Sequence, residues 1–422
     1  MTRATRTRID GERLLWRIAA LAQIGETGDG GSCRLALTDA DREGRDLVVS
    51  WMRELGLRVE VDAIGNVVGT WPAEATEPPV MMGSHIDTVR TGGRYDGNLG
   101  VLAGMEVIET VQHAGVELST PLAVAFFTDE EGSRFAPDML GSLVRVGGLT
   151  TEEALDIRAV DDNATVGEEL ARIGYAGPVP CPATPPAAFV ELHIEQGPVL
   201  EREHIAIGAV TGVQGISWTE YVIEGQSNHA GTTPMAMRRD PTVAAAEITT
   251  FVHRLALELG DPQVATVGRL ELHPNLVNVI AARATLTVDV RNTDDAVLAD
   301  VEARIADFVH EIAGREDVAV SSTTLARFEP VVFDDRVVAL VESAARRSDL
   351  TVRRVPSGAG HDAQMFARVC PSGMVFVPSV GGISHNPAEH TAAPDLIAGA
   401  NVLLDVVLAL ANGALAPSEA TS

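Results

Sequence analysis

From residue 10 to about 205, segments with helical spacing of apolar positions alternate with short apolar segments. Leu14, Leu15, Ile18 and Leu21 fall on one face of a helix near the start. Residues 39–56, DADREGRDLVVSWMRELG, read as an amphipathic helix that starts at Asp39 or Asp41 and stops at Gly56. NVVGTW, PVMMGSH and LAVAFFTDE predict strands. PVMMGSH and LAVAFF are apolar on both faces, as strands inside a helix-covered sheet are. Residues 100–115 between them have helical spacing, and AAFVELH predicts a further strand. The intervening stretch 151–186 is acidic, then proline-rich, and is expected to be irregular. The alternation is a layered α/β pattern.

From about 212 to 326 the pattern changes. SWTEYVIEG, TVGRLELH, ARATLTVDVR and VAVSST alternate, and two long helices are expected near 241–259 and 296–314. Strand–helix–strand–strand–helix–strand is the split βαβ arrangement. From about 330 the α/β pattern returns, with a helix at 334–348, a strand at 351–355, the strand MVFVP and a helix at 394–411. The expected fold is therefore α/β and discontinuous. Residues 1–211 and 328–422 form a mixed sheet flanked by helices, and 212–327 form an inserted ferredoxin-like α+β domain.

Composition narrows the function. Hydrophobic residues make up 45% of the 422, which excludes a mainly disordered chain, a coiled coil and a collagen-like repeat. Acidic residues outnumber basic ones 59 to 32, for a net charge of −27. A chain this acidic has no electrostatic footprint for nucleic acid or for an anionic membrane. Every basic residue is Arg, which excludes a Schiff-base or phosphate-binding lysine. Cys33, Cys181 and Cys370 form neither a disulfide framework nor a CxxC site, so a reducing cytoplasm is the expected compartment. The Arg-rich start resembles a signal n-region, but Asp10, Glu12 and Arg17 interrupt the apolar part, so the segment is read as an amphipathic helix and not as a signal peptide. No uncharged apolar run reaches about 18 residues, so no membrane span is expected.

The histidines cluster in short glycine-containing contexts at predicted strand ends: GSHIDT, ELHIEQG, SNHAGTTP, SGAGHDA and GGISHNP. Carboxyl ends of strands are where α/β folds place ligands. A single histidine there is more often a hydrogen-bonding structural residue; several with matching carboxylates are a candidate site. His85 ends an apolar strand, and Asp87, two residues on, fits a carboxylate that fixes its imidazole tautomer. Asp96 follows in a Gly-flanked loop before a helix, where a simple cap is the alternative. Glu130 and Glu131 end the second buried strand. Adjacent carboxylates repel unless a cation or a proton intervenes, so the pair can split into a ligand and a general base. His193, with Glu195 and Gln196 after it, ends a third strand, and His385 follows MVFVP. Two histidines plus carboxylates hold one zinc; three histidines, a bridging Asp and a Glu hold two. HExxH and GxSxG are absent, and GVQGIS lacks dinucleotide-loop spacing.

Taken in order, GSHIDT, YDGNLG, FTDEEGSRF, ELHIEQGPVLE, GQSNHAGTTPMAMRRD, NVI, VDVRNTD, SGAGHDA and SHNPAE span nearly the whole chain. Together they resemble the N-carbamoyl-L-amino acid hydrolase and allantoate amidohydrolase branch of the aminoacylase–carboxypeptidase superfamily of di-zinc amidohydrolases. The resemblance implies a di-metal catalytic domain with an inserted lid and dimerisation domain. It implies two divalent ions, zinc or alternatively manganese, cobalt or nickel. His85 and His193 would hold one, Glu131 and His385 the other, with Asp96 bridging. Glu130 would be the general base, with Asp87 orienting His85. His229 would reach the partner subunit's active site in a homodimer and support an oxyanion. Asn278 and Arg291 would bind the substrate carboxylate, and Gln196 and the Gly360 backbone the ureido group, with His361 structural. The implied reaction is hydrolysis of an N-carbamoyl-L-amino acid to the amino acid, CO2 and ammonia. Allantoate and β-ureidopropionate are alternative substrates. HPNLVNVI resembles the allantoate type and GVQGISW the carbamoylase type. Peptidase or aminoacylase activity is a distant rival that His193 argues against. A metal-binding protein without activity is the non-enzyme alternative.

Overall fold

The computed structural model describes residues 7–415, so the first six residues of the Arg-rich start lie outside the described residues. The described chain divides into two compact units, one built from residues up to Thr211 and from Val332 onward, the other from Gly212–Val331.

The first unit is organised on a mixed sheet. Its strands run in the order Arg58–Val61, Val67–Trp71, Leu122–Phe127, Val80–His85, Ala188–Ile194, Ser372–Val377, Ile207–Val213, with Val352–Ser357 also paired to the last. The four central strands, from Leu122–Phe127 to Ser372–Val377, are mutually parallel, and their outer neighbours are antiparallel. Every residue of these four strands is buried, which explains apolar runs such as Leu122–Phe127. Phe127, Phe189 and Phe366 stack into one aromatic cluster, with Phe189 and Phe366 4.2 Å apart between ring centroids. Asn98–Ala114 makes the crossover from Val80–His85 to Leu122–Phe127 and packs against Ala393–Ala411.

One reading of the sequence changes here. The stretch expected to be irregular carries two short helices, Thr151–Leu155 and Val166–Ile173, each opened by a Thr–Glu capping box. Those boxes, TTEE and TVGEE, stand in the sequence and are the signal that the acidic composition obscured. Ala393–Ala411 is long and apolar enough to cross a membrane by length and composition. It carries Asp395 and Asp405 and buries eleven residues among the sheet and neighbouring helices, as a core helix does.

The second unit is a four-stranded antiparallel sheet in the order Ala319–Phe328, Gly215–Glu224, Arg283–Asn292, Val264–His273. Helices Pro241–Leu259 and Asp295–Glu316 pack on it and on each other. Tyr221, Ile223, Leu286, Val288 and Val290 meet Ile248, Val252, Val301 and Ile305 in a separate core. This is the ferredoxin-like βαββαβ order. Beside it, Asn228–His229 pairs with Val279–Ile280.

Candidate metal centre

Strand pairing creates the site. Val80–His85 and Ala188–Ile194 are paired only as far as Met82 and Val190. Beyond that the strands part, and Ser84 Oγ donates to Glu191 Oε1 across the gap at 2.6 Å. Leu122–Phe127 joins one side of Val80–His85 and Ala188–Ile194 joins the other. The chain therefore leaves the central strand in both directions, and a crevice forms at the carboxyl ends.

His85 and His193 stand at those ends, both buried. His85 Nδ1 lies 2.9 Å from the Asp87 carbonyl oxygen, and His193 Nδ1 lies 2.8 Å from that of Ile194. A carbonyl only accepts, so each Nδ1 carries the proton and each Nε2 presents a lone pair. Asp87 thus orients His85 through its backbone carbonyl. Its carboxylate is 3.9 Å from Nδ1 and instead accepts from the Glu130 and Glu131 amides, both at 3.3 Å. The expected carboxylate–imidazole contact is replaced because Asp87 lies past the end of the strand, where the chain turns.

Asp96 faces both histidines. Its Oδ1 is 3.1 Å from His193 Nε2 and 3.5 Å from His85 Nε2. Its Oδ2 is 3.5 Å from His385 Nε2, which is 3.2 Å from Glu131 Oε2. The five residues make two groups, His85–Asp96–His193 and Asp96–Glu131–His385, each compact enough to hold one ion. The His85 Nε2 lone pair faces the Asp96 carboxylate with no hydrogen between them, and His193 Nε2 faces it while accepting from the Gly97 amide at 3.1 Å. Only a cation or an extra proton fills such a gap. Hydrogen bonds to Asp96 and Glu131 accordingly push the His385 imidazole up to about 10. Burial opposes charging His85, yet Glu130 and Asp96 raise it well above the usual imidazole range. The imidazole and carboxylate donors fit divalent metal.

Glu130 stands beside the first group, with Oε2 3.4 Å from His85 Nε2. Burial, reinforced by Asp362 and Glu131 against the opposing His85, raises its carboxyl well above the usual carboxylate range. Such a group can take up a proton near neutral pH. A cavity of about 110 Å³ opens onto Asp96, Glu130, Glu131, Gln196, Gly360 and His385. A larger cleft of about 260 Å³, beside Arg58, Asp62 and Arg145, contains none of these groups. Gln196 donates from Nε2 to Asp96 Oδ2 at 2.8 Å, while its buried Oε1 has no hydrogen-bond partner. His361 Nε2 pairs with Ser357 Oγ at 2.9 Å, and burial holds the ring well below the usual range, so it is a neutral structural imidazole.

Two site residues escaped the sequence reading. Glu389 accepts from the amides of Tyr95 and Asp96, and Ser384 Oγ reaches both Glu389 and Asp96. Both flank His385 in GISHNPAEH, and the signal was a carboxylate inside an otherwise neutral loop.

In the second unit, His229 is exposed and its Nδ1 accepts from the amides of Gly231 and Thr232, at 3.0 and 3.2 Å. Its Nε2 therefore carries the proton and is a donor. Asn278 lies beside it: its carbonyl accepts from the Ala230 amide, and Val279 is registered against His229. Arg291 is elsewhere. It pairs with Asp289 two residues back, Nη2 to Oδ2 at 2.9 Å. Arg291 is registered against Ile216, whereas the Asn278 end of the sheet is where Arg283 meets Glu224. Eight residues of strand separate the two ends, about 27 Å. The structure does not bring Asn278 and Arg291 together within one unit.

Two groups of candidate metal-binding residues at the carboxyl ends of parallel strands, with a raised glutamate beside them, suit a metal-dependent hydrolase. Residues 81–409 match Peptidase family M20/M25/M40, and the chain belongs to that family, in its carbamoyl amino acid and allantoate amidohydrolase branch. It is 41% identical over 404 residues to an N-carbamoyl-L-amino-acid amidohydrolase of Rhizobium meliloti, covering 95% of this chain and 96% of the relative. It is 38% identical to the allantoate amidohydrolase of Escherichia coli (strain K12), covering 95% and 97%. The crystal structure of an amidase of the hydantoinase/carbamoylase family from Burkholderia multivorans superposes with a TM-score of 0.93 at 47% identity, covering 96% of this chain and 98% of that one.

Proposed function

We propose that the protein hydrolyses the ureido C–N bond of N-carbamoyl-L-amino acids, consuming water and releasing the L-amino acid, CO2 and ammonia. One observation carries this reading: two acceptor groups share Asp96 beside the proton-accepting Glu130. The name of the Rhizobium meliloti relative supports the substrate class. His85, His193 and Asp96 would hold one divalent ion, and Asp96, Glu131 and His385 a second. Zinc suits these donors, and manganese, cobalt or nickel are accepted by the same types. When bound, such ions polarise a carbonyl and lower the pKa of water.

The chain's own residues do the rest. Glu130 Oε2 takes a proton from the attacking water and returns it to the leaving nitrogen. Gln196 Oε1, buried without a partner, accepts a ureido N–H. His229 donates from Nε2 to the oxygen that gains charge. Arg291 binds the α-carboxylate in competition with Asp289. Residues His229 and Asn278 cannot meet the same small molecule as Arg291 of their own unit, because about 27 Å of sheet intervenes. A homodimer resolves this: the partner subunit supplies the His229–Asn278 end, and the inserted unit serves as lid and dimerisation domain. Three unpaired cysteines support a cytoplasmic location.

Allantoate is the second reading, favoured by the Escherichia coli relative and by HPNLVNVI. The test is ammonia release by metal-reconstituted protein from N-carbamoyl-L-methionine and from allantoate, with a chelator control. Faster chelator-sensitive release from the carbamoyl amino acid supports the proposal. The reverse preference keeps the mechanism and changes the substrate, and release from neither overturns the ureido reading.

A further inference from the structure

We propose that Glu389 is a positioning residue that ties the Asp96 loop to the His385 loop and so holds the Asp96–Glu131–His385 group together. The proposal rests on the metal reading above but on no particular substrate.

Glu389 is buried, and each of its oxygens is committed to a neighbour. Oε1 accepts from the Tyr95 amide at 3.0 Å and the Asp96 amide at 3.2 Å. Oε2 accepts from Ser384 Oγ at 3.0 Å. Ser384 Oγ in turn lies 2.9 Å from Asp96 Oδ2. The carboxylate therefore grips the backbone of the Asp96 loop with one oxygen. With the other it grips, through Ser384, the loop that carries His385. The packing leaves no slack: a Cβ on Gly93 would fall 2.1 Å from Glu389 Oε1. The next residue, His390, meets the edge of the Tyr95 ring with centroids 6.1 Å apart, a second tie between the same two loops.

The two groups depend on this tie unequally. His85 and His193 are fixed by their own carbonyl partners and keep their aim without Glu389. His385 is half-exposed on the loop that Ser384 tethers, and it meets Asp96 only through Oδ2, the oxygen that Ser384 contacts. Loss of Glu389 should therefore release the ion of the Asp96–Glu131–His385 group and spare the other. A Gln at this position keeps an oxygen for the two amides and offers an N–H to Ser384 Oγ, which leaves the single hydroxyl hydrogen for Asp96. Gln should then rescue what Ala loses.

The experiment measures zinc stoichiometry and affinity in the full-length protein by competition with a chromogenic chelator, with His385→Ala marking the ion of the second group. Glu389→Ala should bind that ion at least about tenfold more weakly, the scale for losing a residue behind a ligand, and the other within about threefold. Glu389→Gln should bind both within about threefold. If Glu389→Ala does not fold, Ser384→Ala takes its place and should weaken the same ion by about three- to tenfold. Wild-type affinity at both ions in the Ala variant overturns the proposal, as does a Gln variant as weak as the Ala variant, which would make Glu389 a ligand through its charge. A wild-type chain that binds no ion overturns the metal reading and this proposal together.

Discussion

Arg291 and Asn278 stand at opposite ends of one four-stranded sheet, with Arg291 opposite Ile216 and Asn278 beyond the Arg283–Glu224 pair. A small substrate that touches both must take them from two different copies of the inserted unit. Mixing inactive variants tests this. His229→Ala mixed with Glu130→Gln, or with Arg291→Ala, should regain activity, because each mixed dimer has one intact site. At equal amounts and free exchange that is about a quarter of the sites. His229→Ala mixed with Asn278→Ala should regain nothing, because both lesions lie at the same end. Recovery in that last mixture would mean that the two residues act in different sites.

Glu130→Gln removes the proton acceptor and keeps the shape. The five candidate ligand residues do not include it, so metal content should stay at the wild-type level. Turnover should fall by about 10²- to 10⁴-fold, the span of general acid–base contributions. Metal analysis and steady-state kinetics on the same preparation check both halves. A variant that loses its metal would show that Glu130 is a ligand.

The five candidate metal residues, which the structure brings together, were legible in the sequence because they lie at strand ends or in loops beside them, so local pattern and chemistry coincide. His85, His193 and Glu131 are such cases. The alternation after residue 212 likewise disclosed the inserted unit. Asp87 was misplaced because strand periodicity was extended past the last strand residue, His85. The distance between Asn278 and Arg291 was invisible for a different reason. Thirteen residues apart in sequence, they are separated by the length of a strand, and motif order carries no such metric. Glu389 was missed because its partners are two backbone amides and a serine, which leave no mark on composition.

Cys181 and Cys370 lie away from the candidate site and report on burial. Burial, helped by nearby Asp62, pushes the Cys181 thiol up to about 12, and burial pushes Cys370 up to about 11. A raised thiol pKa means less thiolate at a given pH, at most about a thousandth at pH 8 for Cys370. Iodoacetamide should therefore modify neither residue quickly in native protein at pH 8, and the Cys370 rate should climb tenfold per pH unit until pH nears 11. Peptide mapping of timed reactions reads both rates. Fast native modification at pH 8 would show that these half-buried thiols are more exposed in solution than in the structure.

Gly97 couples backbone conformation to the metal centre at a single atom. Its φ of 66° is one that residues with a side chain rarely adopt. Its amide donates to His193 Nε2 at 3.1 Å, taking the lone pair that an ion would otherwise use. A Cβ there would fall 2.4 Å from His85 Cε1 and 2.5 Å from both ring nitrogens, closer than any real contact. The ring cannot yield easily, because its Nδ1 is tied to the Asp87 carbonyl and the residue is buried. Gly97→Ala should therefore cost about 1–3 kcal/mol in backbone strain alone. It should also displace His85 and weaken the ion shared by His85, His193 and Asp96. The order of loss opposes that of Glu389→Ala: here the first group fails and the Asp96–Glu131–His385 group survives. Chelator competition on both variants distinguishes them, and equal loss of both ions in Gly97→Ala would show that the two groups bind as one unit.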